Sequence, residues 1–343
     1  MKRFLLICLV FVLLFSVVGC SQPQPVVEEK PSEEVTEEAP VVGADWPKNI
    51  TITAGPMGGP WYPAMVKWAE LIMKNIPGTN VTVIEGGGFG NLRLVNAGVD
   101  AQIGMAHVPV FRKALTKELG LDEEFNNIVA GNALMSSFVT PVVKANSNIM
   151  SFGDIKDKRF MPGLATSGQE PVIRDLLSMY DLTYDKIREN GGAVTFVNYA
   201  EMASLMKDNN ADVAVFSGEA PHAAGIEMEA SFPIRILPIE PEMLKETKAR
   251  YPYIVTKELP VGVYKGQTEP VEVILLIGNV IYNKSLPEDF IYTVTRIMLE
   301  NQEQLRTELA FLDLLTWEDA MSGLSEDIMS PGAFKAIQEG PKK

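Results

Sequence analysis

Three short turns carry the residues best suited to chemistry in this chain: Met57-Gly58-Gly59 ahead of Trp61-Tyr62, Gly87-Gly88-Phe89 ahead of Asn91, and Thr166-Ser167-Gly168 ahead of Pro171. Each stands where a strand signal gives way to a helix signal. A helix N-terminus presents unpaired N–H groups and the positive end of a dipole, so such a turn can hold a carboxylate without a cationic side chain. Glycine lets a ligand approach the backbone closely, and the Thr166 and Ser167 hydroxyls add donors. The competing reading is that the glycines serve only tight turns.

Capture, not catalysis, is what these residues offer. The only histidines, His107 and His222, sit in corresponding strand-end turns, with no serine nucleophile elbow or acidic metal loop beside them. His107 is a candidate ligand contact and His222 a weaker one, since a lone turn histidine is more often a hydrogen-bonding group than a base. Gly86-x-Gly88-x-x-Asn91 lacks the last glycine of a dinucleotide fingerprint, and no Gly-Lys-Ser/Thr loop occurs. No catalytic residue, cofactor or metal site is therefore expected. Glu85 and Glu219 lie beside the proposed cleft, either solvated or receiving an ammonium group, and Ser217 adds a further polar group there.

The elements that must position these turns alternate. Ile50 to Thr53 reads as a strand, and Met65, Trp68, Ala69, Ile72 and Met73 recur at helical spacing until Pro77-Gly78. Val81 to Ile84 is the next strand. Asn91 is expected to cap a helix from Leu92 to Ala97 that stops at Gly98, and Ala101 to Ala106 forms a third strand. This pace implies an α/β fold whose sheet is largely parallel with helices on its faces. The grammar recurs: Asn96 to Pro109 is echoed by Asn210 to Pro221, and the turn before Val172 echoes the turn before Leu92. Two lobes of like construction follow. Ligands in open α/β sheets bind outside the carboxyl ends of strands, so both sets of turns should face one cleft.

Ahead of the lobes lies a leader. Lys2-Arg3 and an apolar run from Phe4 to Val18 have the length of a secretory signal, too short for a confident membrane span. Val17-Val18-Gly19-Cys20 resembles a bacterial lipobox, with Val17 where Leu is usual, which implies a signal peptide over 1–19 and a diacylated Cys20. Residues 20–45 then form an acidic tether in which prolines interleave with glutamates, a composition that cannot bury enough apolar surface to order itself. The other of the two cysteines, Cys8, lies in the leader, so a mature chain offers no disulfide, Cys-based zinc site or thiol nucleophile. Removing Lys2 and Arg3 takes the formal charge from −14 to −16, which argues against nucleic acid as a partner.

The motifs Gly58-Gly59-x-Trp61-Tyr62-Pro63, Gly86 to Leu92, Ala97-Gly98-Val99-Asp100 and Ser217-Gly218-Glu219-Ala220-Pro221-His222-Ala223 run in order along the chain. Tyr251-Pro252-Tyr253, Pro260-x-Gly262-x-Tyr264-x-Gly266-Gln267, Leu286-Pro287-Glu288-Asp289 and Ser330-Pro331-Gly332-Ala333-Phe334 follow. Together they resemble the TAXI-type solute-binding subunits of tripartite ATP-independent periplasmic (TRAP) transporters. The resemblance implies a two-lobed type II periplasmic-binding-protein fold, a small carboxylate ligand (an amino acid or organic acid), and membrane permease subunits as partners. It places the first lobe at 46–140, the second at 141–238, and the return crossing and remainder of the first lobe at 239–343. Crossings are expected near Phe138 to Val143 and Ile236 to Tyr264, with helices after Pro287 packing on the first lobe. The implied location is extracytoplasmic, tethered by lipid. A receptor of the same fold serving an ABC transporter or a sensory system is the alternative.

The chain departs from the family where ligand choice is decided. Pro56, Met57 and Pro60 replace small and hydroxyl residues, Trp61 stands where Tyr is common, and Phe89 occupies a small hydroxyl position. These exchanges remove polar groups and add apolar area, so a second carboxylate would go unpaired. A monocarboxylate with an apolar or aromatic tail is expected, unless Phe89 and Trp61 face the lobe core.

Overall fold

The computed structural model describes residues 43–341 apart from 56, 58, 59, 120–122 and 166. The expected signal peptide, Cys20 and the expected tether up to residue 42 lie outside the described residues, as do Gly58, Gly59 and Thr166 of the expected ligand turns.

The first lobe opens with β1 (Asn49–Thr53), α1 (Trp61–Asn75), β2 (Asn80–Ile84), α2 (Gly88–Ala97), β3 (Ile103–His107) and α3 (Val108–Leu115). In α1 the spaced apolar residues Met65, Trp68, Ala69 and Ile72 form the buried face. Gly98 ends α2 in the left-handed conformation, φ 70°, its N–H bonded to Leu94 O. β4 (Ile128–Lys144) then crosses into the second lobe, which holds β5 (Arg159–Met161), α4 (Glu170–Met179), α5 (Tyr184–Glu189), β6 (Ala193–Val194), α6 (Tyr199–Lys207), β7 (Val213–Gly218) and α7 (Ala223–Glu229). β8 (Ile234–Ile236), α8 (Pro241–Arg250) and β9 (Val255–Leu259) follow. β10 (Val271–Asn283) leads back, and α9 (Glu288–Glu300), α10 (Gln302–Glu308) and α11 (Pro331–Gln338) end the chain's helices.

The strands form one sheet in the order β2-β1-β3-β10-β4-β7-β5-β6. Read from either end it is the same pattern: a parallel triplet, then a long antiparallel strand. Within the triplets β1 pairs parallel with β2 and β3, and β5 parallel with β6 and β7. Every strand that β4 or β10 pairs with runs antiparallel to it, so the sheet is mixed; β4 adds one isolated parallel bridge, Ala130 to Met329. This is the two-lobed type II binding-protein architecture. By topology the turn before α4 follows β5 as the turn before α1 follows β1, so its counterpart is the turn at Gly55 to Trp61; the counterpart of the turn before α2 precedes Tyr199. The echo with 86–91 drawn from sequence was one element out of step.

The return crossing is carried by β10, not by Ile236 to Tyr264. β8 pairs with β4 at Val142 to Lys144 and β9 pairs with β10 at Val271 to Leu275, while Leu237, Ile239, Leu244 and Ile254 join the apolar cluster of the second lobe. The physical reason lies in β10 itself, whose residues are almost all buried, as a strand covered on both faces requires. The cluster of the first lobe gathers residues from both ends of the chain, Ile52, Trp68 and Leu92 together with Val294, Leu315 and Ala333. Trp68 Nε1 donates to Val294 O at 3.1 Å. No helix among the described residues is long and apolar enough to cross a membrane.

Candidate ligand-binding cavity

Between the lobes lies a cavity of about 700 Å³, within the 300–1,000 Å³ typical of small-ligand sites. Helices begin around it. Trp61 opens α1, Gly87 and Gly88 open α2, His107 is the N-cap of α3, Gly168 and Gln169 precede α4, and His222 caps α7. All line the cavity, so the positive ends of five helices converge on it. Glu219 is the one acidic or basic side chain other than histidine among the described lining residues. Ser137 on β4, Ser167 and Ser217 supply hydroxyls, and Met57, Trp61, Tyr199 and Phe311 supply apolar wall. Ser167 Oγ is buried and has no hydrogen-bond partner among the described residues.

Gly87 and Gly88 adopt φ of 134° and 52°, conformations a side chain would strain. The tight-turn reading thus accounts for both, and both line the cavity as well. Gly168 is different. Its φ is unexceptional, but a Cβ there would lie 2.9 Å from His107 Cε1 and closer still to Nδ1. Glycine is needed at 168 because the second lobe touches the His107 ring of the first.

His107 is half-buried, and burial pushes its imidazole down to about 4, so the ring is neutral in the folded protein. Trp61 packs against it with ring centroids 4.8 Å apart. His222 also lines the cavity but serves its own turn: Nδ1 accepts from Ala224 N at 3.1 Å, the ring stacks on Phe216 at 5.0 Å, and burial lowers its pKa.

Asn91 does not cap its helix. α2 starts at Gly88, four residues earlier than expected, which carries Asn91 inside the first turn with 0% exposure. Its Oδ1 accepts from Gly87 N at 2.7 Å and Thr53 Oγ1 at 2.8 Å, and its Nδ2 donates to Ala54 O at 2.6 Å and Met105 O at 2.8 Å. All its capacity is spent tying the turn to the ends of β1 and β3, so the side chain has none left for a ligand. In the second lobe Gln169 plays the same part: Nε2 donates to Pro162 O at 2.6 Å and Val215 O at 2.9 Å, and Oε1 accepts from Tyr199 OH at 2.9 Å.

The early start of α2 also turns Phe89 away. It packs partly buried against the first-lobe core and does not line the cavity, so the core reading holds for Phe89 while Trp61 does face the site. Tyr62 likewise packs against that core. Glu85 accepts from Met57 N at 2.8 Å and lies outside the lining. Of the expected site residues, Met57, Trp61, Gly87, Gly88, His107, Ser167, Gly168, Ser217 and Glu219 are brought together. Sequence reasoning missed Ser137, Gln169, Tyr199 and Phe311. Only Tyr199 had a local signal, as the first helical residue after the cap Asn198, whose side chain accepts from Glu201 N.

The NMT1-like family profile matches residues 52–340. Solved structures of similar fold include the periplasmic aliphatic sulphonate binding protein SsuA from Escherichia coli, 13% identical, covering 86% of this chain and 80% of that one with a TM-score of 0.50. Another is XAC2383 from Xanthomonas citri, bound to chloride ion, 10% identical, covering 85% of this chain and 96% of that one with a TM-score of 0.50. At such identities the likeness is one of fold.

Proposed function

This chain belongs to the NMT1-like family, and on that footing we propose that it is an extracytoplasmic solute receptor that binds a small anion between its lobes and performs no chemistry on it. The observation that carries this reading is the convergence of five helix N-termini on a cavity where no cationic side chain lines the wall among the described residues. Such a site attracts a carboxylate through backbone N–H groups and dipoles. The finer reading follows the order of motifs: a TAXI-type receptor of a TRAP transporter, handing its ligand to permease subunits driven by an ion gradient, and held at the membrane by lipid on Cys20. Met57, Trp61 and Phe311 give the cavity its apolar wall, which favours a monocarboxylate with an apolar tail. Phe89, packed against the first-lobe core, adds nothing to that wall. Glu219 leaves room for an amino acid whose ammonium group it would receive.

A second reading keeps the receptor and changes the transporter. An ABC transporter or a sensory system would then take the permease's place, and the fold likeness to a periplasmic aliphatic sulphonate binding protein adds an aliphatic sulphonate as an alternative anion.

Tryptophan fluorescence and thermal shift of the mature protein, screened against amino acids, 2-oxoacids, dicarboxylates, aromatic acids and alkanesulphonates, test the reading. Binding to the native state raises the melting temperature by mass action, and Trp61 reports contact with the ligand. A saturable hit among monocarboxylates supports it. Hits confined to dicarboxylates sink the apolar-tail inference, and silence across all classes sinks the receptor.

A further inference from the structure

Two helices, one from each lobe, run back from the cavity side by side. α3 starts behind His107 and α4 behind Gln169, and where they start His107 and Gly168 are in contact. Six residues into each, about 9 Å along the axis at 1.5 Å per residue, Lys113 Nζ meets Asp175 Oδ1 at 2.8 Å. The side chains are 9% and 7% exposed, and neither residue lines the cavity. Around the pair, Tyr253 OH donates to Asp175 Oδ2 at 2.8 Å, Glu118 Oε2 stands 3.6 Å from Lys113 Nζ, and the Tyr251 ring lies 5.8 Å from it.

A buried ion pair is a poor source of net stability, because desolvation offsets most of the attraction, yet its geometry is demanding and its rupture costly. Its effect is therefore on arrangement. Lys113 belongs to a helix whose neighbours Phe111 and Ala114 sit in the first-lobe core, and Asp175 to one whose neighbours Ile173 and Leu176 sit in the second. With contact at the helix starts and a charged tie one and a half turns behind, the spacing and angle of the two cavity walls are both fixed. We propose that Lys113 and Asp175 are positioning residues, an inter-lobe tie that holds the α3 and α4 N-termini at binding distance and so sets how closed the unliganded receptor is. This deepens the receptor reading, from which it borrows only the purpose of the cavity.

Pulsed electron paramagnetic resonance between nitroxides at exposed Lys74 and Glu189, one on each lobe of the mature protein, reads that closure without any ligand. Lys113→Met and Asp175→Asn are expected to lengthen the mean distance beyond the half-width of the parental distribution, and Lys113→Arg, which keeps the charge, to retain it. Asp175→Asn preserves side-chain volume and an acceptor for Tyr253, so it stays informative if Lys113→Met does not fold. Parental distances in the folded charge-removing variants, or failure of every variant to fold, would overturn the proposal in favour of a purely structural pair. Because no ligand enters the measurement, a failure here is distinct from a silent ligand screen.

Discussion

Replacing Asn91 should cost far more stability than its place beside a glycine turn suggests. Asn91→Ala strands four groups at once: Gly87 N–H, the Thr53 hydroxyl, Ala54 O and Met105 O. A buried polar group left without a partner costs about 1–3 kcal/mol. The Thr53 hydroxyl can rotate and Gly87 borders the cavity, where water can reach it, so two carbonyls and part of a third group carry the loss, about 3–5 kcal/mol. That is a large share of the 5–15 kcal/mol that typically holds a domain together. Thr53→Val is the control, since Asn91 Oδ1 keeps its bond from Gly87 N and only one modest bond is lost, about 1 kcal/mol. Asn91→Asp is the sharper test: nearly isosteric, it turns an oxygen toward Ala54 O and Met105 O and should destabilise at least as much as alanine. Urea unfolding followed by far-UV circular dichroism gives all three values by linear extrapolation. An Asn91→Ala cost below about 1 kcal/mol, or an Asn91→Asp variant no worse than Thr53→Val, would refute the view that this amide pins the first lobe.

Three further outcomes are expected. Gly168→Ala places a methyl against His107 where the Lys113–Asp175 tie resists relief by lobe opening, so it should lower the melting temperature and weaken affinity for the best ligand of the screen on the order of tenfold, as overpacking of about 1–3 kcal/mol implies; calorimetric titration showing unchanged affinity would contradict the contact. His107 is neutral when folded down to about pH 4 but takes a proton near 6.5 when unfolded, so the unfolded chain binds more protons between those values and stability falls as pH drops from about 6.5 toward 4. His222 adds a slope of the same sign. Urea midpoints across that range should flatten in His107→Gln, and an unaltered slope would show that another group sets it. Cys20→Ser should move the protein from the membrane to the soluble fraction on ultracentrifugation, which retention in the pellet would disprove.

Local patterns were legible where each element is short and its pattern complete. The strand Ile50 to Thr53, the helix face of Trp68 and Ile72, and the stop at Gly98 could be read directly, because each depends on neighbours within about one turn or one pleat. Asn91 misled for a physical reason: a short amide is the right residue both for a helix cap and for bridging buried carbonyls, and only the positions of Ala54 and Met105 decide between them. Phe89 followed from the same four-residue shift. Gln169, Ser137 and Phe311 depend on where distant strands and the C-terminal segment come to rest, information that no window of sequence contains. The return crossing was misplaced because β8 and β9 carry ordinary strand signals, and pairing alone reveals that β10 makes the journey back.

The strand order also fixes a sequence of events in time. The first lobe takes its opening strands from one end of the chain and α9 and α11 from the other, so that Trp68 awaits a carbonyl 226 residues downstream. A chain delivered N-terminus first carries an unfinished first lobe until those helices arrive, while the second lobe, whose elements are contiguous, can assemble beforehand. Maturation is therefore governed by the last segment to emerge. A truncation near Val294 would therefore remove the carbonyl that Trp68 needs and leave the lobe that holds Ile52 and Trp68 incomplete.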